Sequence, residues 1–364
     1  MFTEPSQQAI ASHTGGWWPT VLLAMLLVVS MLAGWAFEHL GAPLPWMIGP
    51  LVVTAAIFIG FKPKVRVPKR LRPIGQVVVS TQIGLAFSPQ AWDMLVDYFP
   101  VIVGTTLASG ACIGAVSLLM AHITGQKLTQ AFLSNVPTSP VEAEMMAIAA
   151  GIDPTPVVFS QTLRLSAVVV VLPITLYAIE GWPEGARTMV SLSALDPINI
   201  AFLITAGVSG SWIARSLRVP NPNFLGPMAV SAILSVMTIS PVPYPPMLMA
   251  LAQIVLGTWL GATFRRSFVT SALGLTFASL SFTLLLLLLC SLSGFAIATL
   301  SGLDWQTVVL SAAPGGVTEM ALTAKFLGQN VVLITTFHLV RIFIFMPNIP
   351  WIVRLIASHE NTNK

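Results

Sequence analysis

An all-α, polytopic membrane protein built from two copies of one unit is the fold class this sequence predicts. Three observations carry it. The chain is 55% hydrophobic and 8% charged, whereas soluble domains carry about 25% charged residues, so it cannot cover itself for water and belongs in a bilayer. Its apolar residues fall into runs of helix length. Its second half also repeats the first at a constant offset of 177 residues. That offset pairs Trp35 with Trp212, Pro43 with Pro220, Gly49-Pro50 with Gly226-Pro227, Gln76 with Gln253, and Gly84 with Gly261. It pairs Ser134 with Ser311, Pro137 with Pro314, Glu142 with Glu319, Gly151 with Gly328, and Arg164 with Arg341. Residues 35–173 set on 212–350 without a gap share 28 of 139 positions. The matches are rich in Gly, Pro, Gln, Glu and Arg, so shared hydrophobicity does not explain them. Duplicated, polar-punctuated apolar chains are the signature of transporters made of two structural repeats.

In chain order, residues 1–17 read as a polar N-terminal cytoplasmic tail. The run 17–37 spans and lacks a small-residue cleavage site, so it reads as a retained first helix. The first repeat, 18–178, has apolar segments at about 18–37, 45–60, 73–88, 98–121 and 155–178. The loop 62–72, KPKVRVPKRLR, is the sharpest basic cluster. It lies between two apolar runs and reads as a cytoplasmic loop, not a nucleic-acid surface. Residues 179–196 link the repeats. The second repeat, 197–355, has segments at 197–214, 223–240, 246–264, 270–300 and 331–353, and 356–364 reads as a C-terminal tail. Several segments are shorter than the usual ~20-residue span. The second of each set is punctuated by Pro45 and Pro50, or by Pro222 and Pro227, as in the interrupted helices of transporters.

Two polar stretches, 128–151 and 305–328, decide the topology. If they do not cross the membrane, each repeat has five crossings plus a broken or re-entrant helix, and the odd number inverts the second copy. With the N-terminus inside, thirteen Lys/Arg then lie inside, two outside and two within the membrane, accounting for all seventeen. Full crossing gives ten against five. Orientation follows this asymmetry, which favours inverted repeats.

The same stretches hold the candidate binding residues. Pro137-Thr138-Ser139-Pro140 precedes Glu142, and Pro314-Gly315-Gly316 precedes Glu319. Pro and Gly break a helix and free main-chain groups, which at membrane depth need a protein partner or a water-filled cavity. The half-helix that restarts after the break favours anions at its N-terminus, although Ser139-x-x-Glu142 also reads as a capping box. Arg164 and Arg341 are charges inside apolar helices, a functional signal by default. Glu142 and Glu319 are their expected partners, either at a solute site or as structural pairs pinning each break. Gln161 and His338 each precede an arginine by three residues, on the same helix face. The substrate- or ion-binding set is therefore Pro137, Ser139, Glu142, Gln161, Arg164, Pro314, Gly315, Gly316, Glu319, His338 and Arg341. Gln76 and Gln253 read equally as binding groups or interhelical contacts. The five His show no metal-ligand spacing, no phosphate-binding G-x-x-x-x-G-K-[ST] loop is present, and Cys112 and Cys290 form no disulfide framework. No cofactor and no catalytic residue is expected.

The chain resembles the membrane AbrB family of bacteria. The likeness rests on GPL/GPM after a Pro-rich loop, the Gln-to-Gly spacing of the third segment, and the element S-x-x-PGG-x-x-x-M some two dozen residues before a membrane Arg. SAAPGGVTEMALTAKFLG with Arg341 follows it closely, whereas SNVPTSPVEAEMMAIAAG has Thr-Ser-Pro in place of the glycine pair. The family is grouped by fold with cation:proton antiporter and anion transporter-like proteins. Its members carry names as different as transcriptional regulator and ammonia monooxygenase. The resemblance implies a multi-pass protein of the bacterial inner membrane. Together with the residues it points to a secondary transporter of a small, anionic solute that uses a coupling proton or cation. The alternatives are a membrane-embedded regulator or sensor acting on gene expression indirectly, without direct nucleic-acid contact, and, more distantly, a monooxygenase-like enzyme.

Overall fold

The computed structural model describes residues 18–61, 63, 65, 67–87, 89–181, 196–237, 242–264 and 273–362. The N-terminal tail, most of the inter-repeat loop, and Lys62, Lys64, Arg66, Arg187, Arg265, Arg266 and Lys364 lie outside the described residues. Every regular element among the described residues is an α-helix. The first half comprises α1 (Trp18–His39), α2 (Pro45–Phe61), α3 (Leu71–Gly84), α4 (Pro89–Asp97), α5 (Phe99–Thr124), α6 (Leu128–Asn135), α7 (Pro140–Ala149) and α8 (Pro154–Glu180). The second comprises α9 (Pro197–Ser216), α10 (Pro222–Val236), α11 (Pro246–Gly261), α12 (Leu273–Ser301), α13 (Trp305–Ala312), α14 (Val317–Phe326) and α15 (Val331–Thr362). α6 and α13, like α7 and α14, match residue for residue at the 177 offset.

Local chemistry sets these boundaries. Proline opens α7, α8, α9, α10 and α11 at the first or second position, where its missing N–H costs nothing. Gly125 and Gly302, an offset pair, follow α5 and α12 with φ of 68° and 70°, a left-handed stop that a side chain disfavours.

Six helices are long and apolar enough to cross a bilayer, at Pro19–His39, Phe99–Thr124, Pro154–Ile179, Pro197–Ser216, Gly274–Ser301 and Val331–Glu360. α12 shows why they suit lipid: Phe277, Leu284, Leu288, Leu292 and Phe295 stand exposed along one side of it. Apolar exposure on this scale marks contact with something other than water. The shorter helices α2, α3, α10 and α11 bury their apolar residues in one shared core, containing Met47, Ile48, Leu51, Val79, Ile83, Leu225, Met228 and Leu256.

The halves exchange contacts. α2 packs on α11 and α3 on α10, while α5 packs on α15 and α8 on α12. At the closest approach Gly84 abuts Met228, Ser231 and Ala232, and Gly261 abuts Leu51, Thr54 and Ala55. Each member of the second group lies 177 residues from its counterpart in the first. Gly75 abuts Ala252, its own offset partner. Reciprocal contacts with a self-paired position are what a two-fold relation produces.

Two further cores cradle the polar stretches. Around α6 and α7 lie Ile113, Met120, Leu133, Ala143, Leu286 and Ile349. Around α13 and α14 lie Leu172, Leu287, Leu310, Met320 and Ile334. The second stretch folds back on itself. Thr307, near the start of α13, donates its hydroxyl to Gln329, just past α14, at 2.9 Å, and Gln329 donates to Gln306. Set end to end, α13 and α14 would hold those positions roughly 30 Å apart. α13 and α14 therefore form a helical hairpin whose tip is Pro314-Gly315-Gly316.

Candidate functional site

The site is built from the two helix breaks and the two long helices that close them. In the first break the main chain leaves helical geometry at Val136 and re-enters at Pro140. Ser139 caps α7: its hydroxyl accepts from the Glu142 N–H at 3.3 Å, and Glu142 Oε2 accepts from the Ser139 N–H at 3.1 Å and hydroxyl at 2.8 Å. The capping box legible in the sequence is thus complete. In the second break Gly316 is the N-cap of α14 and offers no side chain. The Glu319 carboxylate folds over it, in the space a Cβ on Gly316 would need. Both glutamates are half-buried and answer the amide ends of α7 and α14.

The arginines answer the opposite ends. Arg164, on α8, donates Nη1–H to the Asn135 carbonyl at 2.6 Å and Nη2–H to Gln161 Oε1 at 2.6 Å. Gln161 in turn donates its amide to the carbonyls of Leu133 and Val136. Arg341, on α15, donates to the carbonyls of Ala313 at 2.6 Å and Gly315 at 2.8 Å. This corrects the expectation that each arginine pairs with the glutamate of its break. The physical reason is the polarity of a broken helix. The half-helix entering a break ends in unpaired carbonyls and a partial negative charge, and the one leaving it begins with unpaired N–H groups and a partial positive charge. Arginine takes the first and glutamate the second. Sequence could not separate the two acceptors, because carboxylate and main-chain carbonyl both suit a guanidinium.

Arg164 and Arg341 are 1% and 3% exposed, and each keeps a buried Nε without a hydrogen-bond partner. The two guanidinium groups repel each other electrostatically, and Cys290 on α12 lies in the field of both. α8, which carries Arg164, also packs Val168 and Leu172 against Leu310, Ala313 and Met320 of the second stretch, which brings the two breaks to one region of the interior. Ser109, on α5, ties the first half to the second break through a 3.3 Å hydrogen bond to the Ala312 carbonyl. Sequence reading missed this residue, since a serine in an apolar helix carries no signal of what it faces.

His338 is fully buried, and its Nδ1 lies 2.9 Å from the Ile334 carbonyl of its own helix; unlike Gln161 it does not bond its arginine. Pro137 is half-buried and Pro314 and Gly315 buried at the tips. Neither Gly315 nor Gly316 takes a positive φ. Space, not backbone conformation, is what these glycines supply, with Met320 filling the volume beside Gly315. Gln76 is buried on α3 and Gln253 half-buried on α11, distant from the breaks in sequence, although Val317, Ala321 and Leu322 of α14 join the core those helices share. Among the described residues no three His, Cys, Asp or Glu side chains gather as metal ligands.

Comparison with known proteins adds the family. The family described as "Transition state regulatory protein AbrB" matches residues 1–180 and 64–357. An Escherichia coli (strain K12) protein named "Putative regulator AbrB" is 23% identical over 345 residues, covering 94% of this chain and 98% of the relative. A Bacillus subtilis (strain 168) protein named "Uncharacterized protein YhjN" is 23% identical over 368 residues, covering 93% and 94%.

Proposed function

The chain belongs to the AbrB family, and on that footing we propose that it is a secondary transporter of a small anionic solute in the bacterial inner membrane. On this reading it is not an enzyme. The two halves are inverted repeats, each with five crossings and one re-entrant hairpin, and the N-terminus is cytoplasmic. The solute binds where the two breaks converge. Arg164 and Arg341 supply its counter-charge, and Glu142, Glu319 and His338 are the groups able to carry a coupling proton.

One observation carries the reading. Among the described residues, Arg164 and Arg341 are the charged side chains sealed from the surface, and no Asp or Glu is buried. Each arginine faces the end of a half-helix worth about −0.5 charge. Those ends offset only part of the arginines' charge, and Glu142 and Glu319 are half-buried where the arginines are sealed, so the field in the low-dielectric interior is positive. A small anion is its chemical complement. A cation carrier needs the reverse, a buried carboxylate.

The test is uptake by purified protein in proteoliposomes, using a panel of small carboxylates and inorganic anions beside neutral and cationic solutes. Saturable uptake of an anion, reduced at least tenfold by Arg164→Gln or Arg341→Gln, is expected. Uptake of cations or neutral solutes in preference to every anion sinks the reading. The printed name of the Escherichia coli relative favours a second reading, a membrane-embedded sensor that affects gene expression indirectly. Saturable anion binding without flux would decide for it.

A further inference from the structure

The N-terminus of α6 is held from the opposite half of the protein. Its N-cap, Lys127, makes no side-chain capping bond. The missing acceptor comes from Glu360, 231 positions along the chain in the last turns of α15. Glu360 Oε1 accepts from the Thr129 N–H at 3.2 Å, and Oε2 accepts from the Thr129 hydroxyl at 2.8 Å. Thr129 is fully buried, and Leu128, Leu355 and Ile356 line the apolar hollow beside the contact. The corresponding helix of the second half needs no such help. Asp304 caps α13 from within, accepting from Thr307 N–H at 2.9 Å, and Thr307, Gln306 and Gln329 close that hairpin on itself.

The same helix that supplies Glu360 also carries Arg341, which closes the second break. The two residues are nineteen positions apart, about 28 Å along a helix. At 32 residues α15 is about 48 Å long and exceeds a ~30 Å hydrocarbon core, which leaves room for an ionised carboxylate at its end. α15 therefore grips the second break with its middle and the half-helix leading into the first break with its end. A carboxylate at a helix N-terminus satisfies unpaired N–H groups and opposes the helix dipole favourably.

We propose that Glu360 is a positioning residue: it caps α6 in trans, and through α15 it makes the two breaks move as one unit. The functional meaning of this coupling rests on the breaks being the solute site, but its test requires no solute. Hydrogen–deuterium exchange is followed on the full chain in lipid nanodiscs, reading residues 128–135 and 313–319. In Glu360→Ala, exchange at the start of α6 rises roughly fivefold, as expected for a lost cap, and the 313–319 break speeds up as well. Glu360→Gln, which keeps an acceptor but not the charge, falls between Ala and wild type and shows that the effect is not misfolding. Unchanged exchange in 128–135, or the same change in His359→Ala, overturns the cap. A rise confined to 128–135, with 313–319 unmoved, overturns the coupling. Either result leaves the transport reading standing, because that reading is judged by anion uptake alone.

Discussion

At the residue scale the two buried arginines behave as paired caps on main-chain carbonyls. Arg341 spends two N–H groups on two carbonyls, Ala313 and Gly315, a fork that an ammonium cannot reproduce. Arg341→Ala strands two buried acceptors at roughly 1–3 kcal/mol each. Arg341→Lys keeps a charge and at most one of the bonds. Thermal unfolding in detergent is therefore expected to rank wild type above Lys and Lys above Ala. Full recovery of Arg341→Ala by Glu319→Gln would contradict this, since it would mean the carboxylate was the partner after all. The glycines at the tip separate in the same way. A methyl at Gly316 collides with the Glu319 carboxylate, whereas one at Gly315 meets the flexible Met320 side chain. Gly316→Ala is thus expected to lower anion uptake per folded molecule more than Gly315→Ala, and equal losses would count against a role for the Glu319 position. The arginines stood out because charge is rare in this composition, and the glycines because they adjoin a proline inside an apolar stretch. Their partners did not, because main-chain carbonyls leave no mark in a sequence.

At the element scale the informative units are the half-helices. α6, α7, α13 and α14 have 8, 10, 8 and 10 residues, too short to be stable alone in water. Packing and end-capping hold them. The two N-termini facing the breaks use different chemistry, a complete Ser139–Glu142 box on α7 and a bare Gly316 on α14. Ser139→Ala is expected to cost about 1 kcal/mol, seen as a lowered Tm, while Gly316→Ser is expected to be neutral or destabilising because Glu319 already fills the space. A clear gain of stability in Gly316→Ser would show that α14 lacked a cap it could use. The sequence disclosed the breaks through Pro137 and Pro314 and disclosed the short, Pro-interrupted helices. It did not disclose α4, an amphipathic stretch of nine residues with two aspartates, which resembles a loop by composition. It placed Pro347 and Pro350 inside the last segment, 331–353, but did not disclose that α15 runs on to Thr362. Proline inside a membrane helix is tolerated where neighbours satisfy the freed groups, so the proline pair did not mark an end.

At the scale of the whole molecule, the fold-back of the second polar stretch bears on which way each half lies in the membrane. The bonds between Thr307 and Gln329 and between Gln329 and Gln306 put the entry and exit of α13 and α14 at one end. A hairpin adds no crossing. With the four shorter helices α2, α3, α10 and α11 crossing beside the six long ones, each half would have five crossings, and an odd number would turn the second copy over. The reciprocal contacts of Gly84 and Gly261 suit that relation but do not by themselves fix its direction. The sequence asymmetry favours inversion: with the hairpins uncrossed, thirteen Lys/Arg would face the cytoplasm and two would face out, whereas crossing hairpins would give ten against five. The prediction concerns single cysteines placed in a Cys112→Ser, Cys290→Ser background and labelled with an impermeant maleimide. Positions 69 and 218 are expected to react only when the cytoplasmic side is open, and positions 187 and 325 from outside in intact cells. Position 218 is the most discriminating, because crossing hairpins would place it outside while leaving 69 inside. Labelling of 218 from outside, or of 187 only from the cytoplasm, would mean the halves lie parallel, and the convergence of the two breaks would then need another explanation.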